Sequence, residues 1–373
     1  MRGRRLCGRP GGRPFANLHD NRDADAVPVP RPVPSRRSGA VSHARSLGSA
    51  VGWQALWRQS LRDPRDLLRE LGLPDLAARV SDAAARQFPL RAPPGFVARM
   101  RRGDPTDPLL RQVLPVIEED ALVPGYGIDA VGDMAARGAT GVLHKYRGRA
   151  LLVATGSCAV HCRYCFRRHF DYAQDTAAAG DWQEAVAYIA ADPSIEEVLL
   201  SGGDPLSLAT HKLAGLTTRL RAIPHLRRLR IHTRLPVVLP ERVDDDLLAW
   251  LGGLPWPVAV VIHANHANEL DASVAGAIAA LRGTGATVLN QAVLLRGIND
   301  DIEALARLSE RSFEIGVLPY YLHQLDRVAG AAHFEVDDAT ARALHEALAA
   351  RLPGYLVPRL VREVAGDPGK RPL

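Results

Sequence analysis

The sequence predicts an α/β fold built on an open, partial barrel of six parallel strands. Three observations carry this expectation. Apolar, β-branched runs begin near Ala150, Glu197, Leu229, Val258, Thr287 and Ile315, and after the first the interval is close to 30 residues. Each run is followed by helix-like sequence, for example 271–281, 301–313 and 337–352, and strands alternating with helices build a parallel sheet. No seventh and eighth run completes the set needed for a closed eight-stranded barrel, so the sheet is expected to remain open.

Residues 1–50 precede this pattern and differ from it in kind. Ten arginines against Asp20, Asp23 and Asp25 give the segment a charge of +7, whereas the 373-residue chain carries +6 in total, which leaves the remainder near −1. The basic pI of about 9.4 is therefore a property of the tail, and a near-neutral folded region argues against nucleic acid as a partner. The tail is rich in Pro, Gly and Arg, as in the stretch from Val27 to Pro34, and has too little apolar surface to pack. It is expected to be disordered. It reads as a polyanion contact or, by preference, as the product of an upstream start.

From Trp53 the composition changes. Apolar residues recur at helical spacing over 53–61 and 64–73, with Asp63 placed to cap the second helix and Gly72 to end it. Proline turns at Pro93–Pro94 and between Pro105 and Pro108 separate short helices down to about residue 138. Residues 51–140 are thus expected to form a helical domain without chemistry of its own, 141–330 the partial barrel, and 331–373 a C-terminal helix and loop. No apolar stretch reaches membrane-spanning length and no segment reads as a signal peptide, which points to a cytoplasmic protein.

Chemistry is expected at the C-terminal ends of the strands. The first strand leads into Gly156–Arg168, where three of the four cysteines lie at Cys158, Cys162 and Cys165. A tight loop can turn three thiolates toward one region, and such soft ligands select iron–sulfur clusters, zinc or copper(I). Three thiolates would leave one iron of a 4Fe-4S cluster open to an outside ligand, as catalysis requires. Two plainer readings compete: structural zinc with His161 or His169 as fourth ligand, and buried reduced thiols. Structural zinc usually pairs two distant cysteine knuckles, and there is no second one here. A simple electron carrier would need a fourth cysteine at ferredoxin spacing. Cys7 stands apart, so no disulfide framework is expected, and oxygen-sensitive iron implies a reducing compartment. The second strand leads into Gly202-Gly203-Asp204, where glycines permit close backbone approach to a ligand, although the same residues also make ordinary turns. Near the end of the chain, Gly366–Pro372 presents Lys370 on a loop of small residues.

The cysteine run, with the aromatic Tyr164 before its last cysteine, resembles the radical S-adenosylmethionine signature. Further segments resemble lysine 2,3-aminomutase in order from about residue 95 to the C-terminus: His144–Arg149, Cys165–Phe170, Thr233–Arg242, Asn265–Glu269, Leu294–Asp300, Pro319–Tyr321, Gly330–Phe334 and Gly354–Pro358. Phe88–Arg91, Gly95–Met100 and a chain end just after Lys370 look closest to the short form that supplies (R)-β-lysine for elongation factor P.

This resemblance implies three cofactors and a set of residues for each. A 4Fe-4S cluster would sit on Cys158, Cys162 and Cys165, and S-adenosylmethionine would bind beside Gly202, Gly203 and Asp204. Pyridoxal phosphate would be bound covalently by Lys370, with its phosphate on Lys145, Tyr146 and Arg149. Lysine would be held by Arg167 at its carboxylate and by Asp326 and Glu363 at its ε-ammonium. The chain departs from the family at Glu363, where aspartate is usual, and at His323, which replaces a tyrosine near pyridoxal phosphate. The implied reaction is an isomerisation of α-lysine to β-lysine, started by an external one-electron reductant. Two alternatives retain the radical chemistry: an aminomutase for arginine or glutamate, and an RNA-modifying enzyme without pyridoxal phosphate. Paired acids at Asp326 and Glu363 argue against glutamate.

Removal of residues 1–50 should leave folding unchanged, because a charged tail poor in apolar residues contributes no core. Thermal unfolding of the truncated and full chains checks this, and a large drop in melting temperature would show that the tail is docked.

Overall fold

The computed structural model describes residues 52–173 and 175–373. The expectation of a disordered tail, and Cys7, lie outside the described residues. Ten strands form one sheet in sequence order: β1 (Arg137–Ala139), β2 (Val142–Tyr146), β3 (Arg149–Thr155), β4 (Glu197–Gly202), β5 (Arg228–Thr233), β6 (Val258–Ile262), β7 (Thr287–Val293), β8 (Leu318–His323), β9 (Arg359–Arg362) and β10 (Arg371–Pro372). The six expected strands are β3 to β8, and each pairs in parallel with the next. The first and last strands of the sheet are not paired with each other, so the barrel is open.

Two features extend the predicted pattern. β9 adds a short parallel strand beyond β8, and antiparallel hairpins close both margins, β1–β2–β3 on one side and β9–β10 on the other. Strands of two to five residues carry too little periodicity to stand out in sequence. The last predicted strand also begins later than its apolar run. Ile315 lies in the turn that ends the helix Ile302–Glu314, where Gly316 at φ +85° lets Gly316 and Val317 donate back to the carbonyls of Phe313 and Ser312. A glycine in the left-handed region is the usual device for satisfying the last carbonyls of a helix.

The helices start where their caps are. Asp63 accepts a hydrogen bond from the amide of Arg65 at 2.7 Å, and Asp271, Asp301 and Asp337 cap the helices Ala272–Gly283, Ile302–Glu314 and Asp338–Arg351. Each supplies an acceptor to a helix N–H that has no partner within the helix. Outward strand residues such as Leu152, Leu200, Ile231 and Ile262 are fully buried against these helices.

The short helices of residues 53–120 share this core through Leu67, Leu68, Phe96 and Leu109. They also clamp the cysteine loop. Arg163, inside the loop and fully buried, donates to both carboxylate oxygens of Glu119 at 2.8 and 2.5 Å, while Arg168 donates to the same carboxylate at 2.7 Å. One carboxylate thus bridges two guanidinium groups and ties the helical segment to the loop.

Glu119→Gln should lower stability by about 3–5 kcal/mol, since removing one partner of a buried ion pair leaves charge without compensation. Denaturant unfolding under anaerobic conditions measures this, and a change below about 1 kcal/mol, the range of exposed pairs, would show that the clamp carries little.

Candidate active site

Because side chains alternate along a strand, every second residue of β2 to β8 faces the barrel interior. These positions include Lys145, Arg149, Ser201, Arg230, His232, Gln291, Tyr321 and His323, with His263 just beyond β6, alongside the apolar Leu143, Leu151, Leu199 and Val293. An interior this polar is not a packed core. It forms a cavity whose empty space, counted with the solvent at its mouth, is ≈ 1830 Å³. All 13 residues expected from the sequence to hold a cofactor, metal or substrate line this one cavity, from Cys158, Cys162 and Cys165 to Lys370.

At one end the three cysteines are free and half-buried. Among the described residues no three or more His, Cys, Asp or Glu side chains gather closely enough to hold a single metal ion. Three thiolates around a four-iron cluster bind three different irons and need no common point, whereas tetrahedral zinc does need one. The histidines considered as a fourth ligand are turned elsewhere: His161 pairs with the carbonyl of Pro89 at 2.7 Å and His169 with that of Ala329 at 3.1 Å. Burial pushes the thiol of Cys165 up to about 11 and that of Cys158 well above its ordinary value. Thiolates at these positions call for positive charge, which the iron of a cluster supplies. The residues therefore fit a 4Fe-4S cluster.

Gly202 and Gly203 lie under the cysteine loop. Gly202 has φ +111°, and a Cβ on Gly203 would come within 2.5 Å of the carbonyl oxygen of Ser157. Their lack of side chains lets two backbones approach each other. The carboxylate of Asp204 accepts from the amides of Leu206, Arg234 and Leu235 and from the hydroxyl of Thr233, at 2.7 to 3.0 Å. As placed, Asp204 joins the loop after β4 to the loop after β5.

The other end is a chain of alternating charges. Arg167 donates through Nε to Asp133 at 2.6 Å, and the other oxygen of Asp133 lies 2.7 Å from Lys145 Nζ. Lys145 approaches Glu363 at 3.8 Å, and Glu363 accepts from Lys370 at 2.6 Å. The last contact follows from register. Arg371 pairs with Arg362 across the β9–β10 hairpin, which sets Lys370 opposite Glu363, and Gly366 at φ +84° turns the loop between them. Tyr146 also donates to Glu363. Burial opposes ionisation of Glu363 and Asp133, but their cationic partners hold both below the usual carboxylate range. Arg149 lies over the Tyr146 ring at 4.5 Å, and among the described residues it has no carboxylate partner. It is the cation best suited to receive a phosphate.

Asp326 differs from the other acids. Its Oδ1 has no hydrogen-bond partner, and burial, opposed by Lys370 and reinforced by Glu363, pushes its carboxyl up to about 7. Three imidazoles share the interior. Burial lowers His263 to about 4 and His232 and His323 well below the ordinary value, so all three are neutral. The Nε2 atoms of all three, and Oε1 of Gln291, have no partner within the protein. Sequence reasoning missed Asp133, which lies in an irregular loop without periodicity. It also missed His232, His263 and Gln291, although their inward positions at the C-terminal ends of strands were a usable signal.

Comparison with known proteins adds an independent observation. The family model described as a 4Fe-4S single cluster domain matches residues 147–228. L-lysine 2,3-aminomutase of Escherichia coli (strain K12) is 46% identical over 326 residues, which is 87% of this chain and 95% of that protein. The Haemophilus influenzae protein of the same name is 45% identical over 85% of this chain and 94% of its own length. That of Clostridium subterminale is 34% identical over 75% of this chain and 67% of its own length.

An acid raised to about 7 is neutral below that pH and anionic above it. Recognition of a cationic side chain at Asp326 should therefore weaken as pH falls through about 7. In the pH profile of kcat/KM, which reports groups of the free enzyme, Asp326→Asn should lower the plateau and remove this limb. Persistence of the limb in the variant would assign it to another group.

Proposed function

Given that the chain belongs to the lysine 2,3-aminomutase family, we propose that its cavity isomerises L-lysine to β-lysine by moving the amino group from C2 to C3. The observation that carries this reading is the placement of acids and bases around one space. Lys370, Asp326, Glu363 and Arg167 line the cavity that also holds the three cysteines. When bound, the cluster and S-adenosylmethionine supply the hydrogen-abstracting radical, and pyridoxal phosphate supplies a conjugated ring on the migrating nitrogen. Cys158, Cys162 and Cys165 would hold the cluster. Lys370 would anchor pyridoxal phosphate, with Arg149, Lys145 and Tyr146 toward its phosphate.

The protein's own part is orientation and exclusion of water. Arg167, positioned by Asp133 and Ser201, offers a guanidinium fork to the substrate carboxylate. The unpartnered oxygen of Asp326 accepts the ε-ammonium, and Glu363 completes the acidic end. Two carboxylates there would repel a glutamate side chain. Neutral His232, His263 and His323 present polar atoms without adding charge beside a radical.

The reducing demands of the cluster support a cytoplasmic setting and an external one-electron reductant. We further propose that the product serves modification of elongation factor P. The support is the likeness of Phe88–Arg91 and Gly95–Met100 to the short form of the family. In this chain that segment packs over the cysteine loop, with Phe88 stacked on His161 at 4.8 Å and Arg91 donating to the carbonyl of Cys158 at 3.0 Å.

Anaerobically reconstituted protein should convert L-lysine to β-lysine and leave L-glutamate and L-arginine unchanged, as read by chromatography of the amino acids. Borohydride should fix pyridoxal phosphate to Lys370 in the wild type and not in Lys370→Ala. Glu363→Asp should preserve or improve lysine turnover, because it restores the usual acid of the family. Near-normal lysine turnover in both Asp326→Asn and Glu363→Gln would sink the substrate assignment.

A further inference from the structure

Two sequence segments, Thr233–Pro236 and Asn265–Glu269, have no part in the mechanism above, yet they converge behind the middle cysteine. Arg234 lies just beyond β5 and is only 5% exposed. Its Nη1 reaches Sγ of Cys162 at 2.6 Å, and its Nη2 donates to Glu269 at 2.8 Å and to Gln112 at 2.6 Å. The guanidinium lies 5.5 Å from the Phe96 ring and 5.8 Å from the Tyr164 ring. Glu269 is fully buried, and its other oxygen accepts from the Asn265 amide at 2.8 Å and from Gln112 at 3.1 Å. Every contact limits movement of the guanidinium, so its donor stays aimed at one sulfur.

A buried ion pair alone would be a structural clamp, like Glu119 with Arg163. The difference is the third contact, to the sulfur of a cluster ligand. Hydrogen bonds to cluster sulfurs and the net charge nearby set the reduction potential of an iron–sulfur centre, and groups outside the metal ligands routinely tune it. A donor on the thiolate withdraws electron density, and a positive charge beside the cluster favours the form carrying one more electron. Glu269 acts in the opposite sense by offsetting that charge.

From this geometry we infer that Arg234 and Glu269 form a tuning pair for the cluster bound at Cys162, with Arg234 easing its one-electron reduction and Glu269 limiting that effect. The inference rests on the iron–sulfur reading of the three cysteines. Arg234 is a positioning residue, since it acts through Cys162 and touches neither substrate nor the reacting carbon atoms. No reaction is added: the electron still comes from the external one-electron donor.

The test is a redox titration, followed by electron paramagnetic resonance, of the anaerobically reconstituted full chain without S-adenosylmethionine. Arg234→Gln should shift the midpoint potential to more negative values and Glu269→Gln to more positive ones. Arg234→Lys keeps the charge and should shift less than Arg234→Gln. Either single glutamine variant leaves a buried charge unpaired and could lose its fold or its cluster. The double variant R234Q/E269Q keeps the interior neutral, and it should still move in the negative direction because the donor to sulfur is lost. A loss of potential control in opposite directions is a result that simple structural support would not produce. Potentials unchanged in both the double variant and R234Q, or shifted in the same direction in the two single variants, would overturn the proposal. A wild-type protein with no four-iron signal would instead overturn the cluster reading beneath it.

Discussion

The structure depends on holding an irregular loop still in the interior of an open barrel. The run from Gly156 to Arg168 has no strand or helix ladder of its own, so its shape is imposed by groups from other elements. Glu119 binds two arginines of the loop, Arg234 and Glu269 brace Cys162, and Gly203 lets the next loop lie directly beneath Ser157. The ion pairs among these contacts are buried, and each loses heavily if one partner is removed. A soft loop would place three thiolates at variable distances, and a cluster requires them at fixed ones.

The same economy of charge organises the opposite end of the cavity. Arg167, Asp133, Lys145, Glu363 and Lys370 alternate in sign along a continuous path, so each charge is compensated by its neighbours although water is largely excluded. Such a path is costly to assemble and sensitive to any change of sign. It also leaves Asp326 as the acid with an oxygen to spare. A cationic group entering the cavity completes a pattern already present, whereas an anionic one disrupts it.

The two ends meet because parallel strands bring their C-terminal ends together. Cys165 and Lys370 belong to opposite margins of the sheet, one after β3 and the other just before β10, yet they line one cavity. An open barrel leaves room between its margins that a closed eight-stranded barrel fills with side chains. That room is where the polar inward positions of the strands lie.

Much of this was legible in the chain alone. Six apolar runs at regular intervals, alternating with helical stretches, determined the parallel sheet, because each strand must bury its outward face against a helix, and aspartates before helical stretches determined where helices begin. Clustered cysteines narrowed the chemistry to a soft-metal site, iron–sulfur among the candidates, through the softness of sulfur. Local pattern could not reveal which distant side chains pair. Asp133, Glu119 and Glu269 are ordinary acids in sequence, and only packing shows that each meets a buried guanidinium or ammonium. The contact of Glu363 with Lys370 was decided by the register of a two-residue strand that leaves no periodic trace. The orientation of Arg234 toward Cys162 was decided in the same way, between residues 72 positions apart in the chain. Electrostatic pairing acts through space and carries no sequence period, so tertiary structure alone settles it.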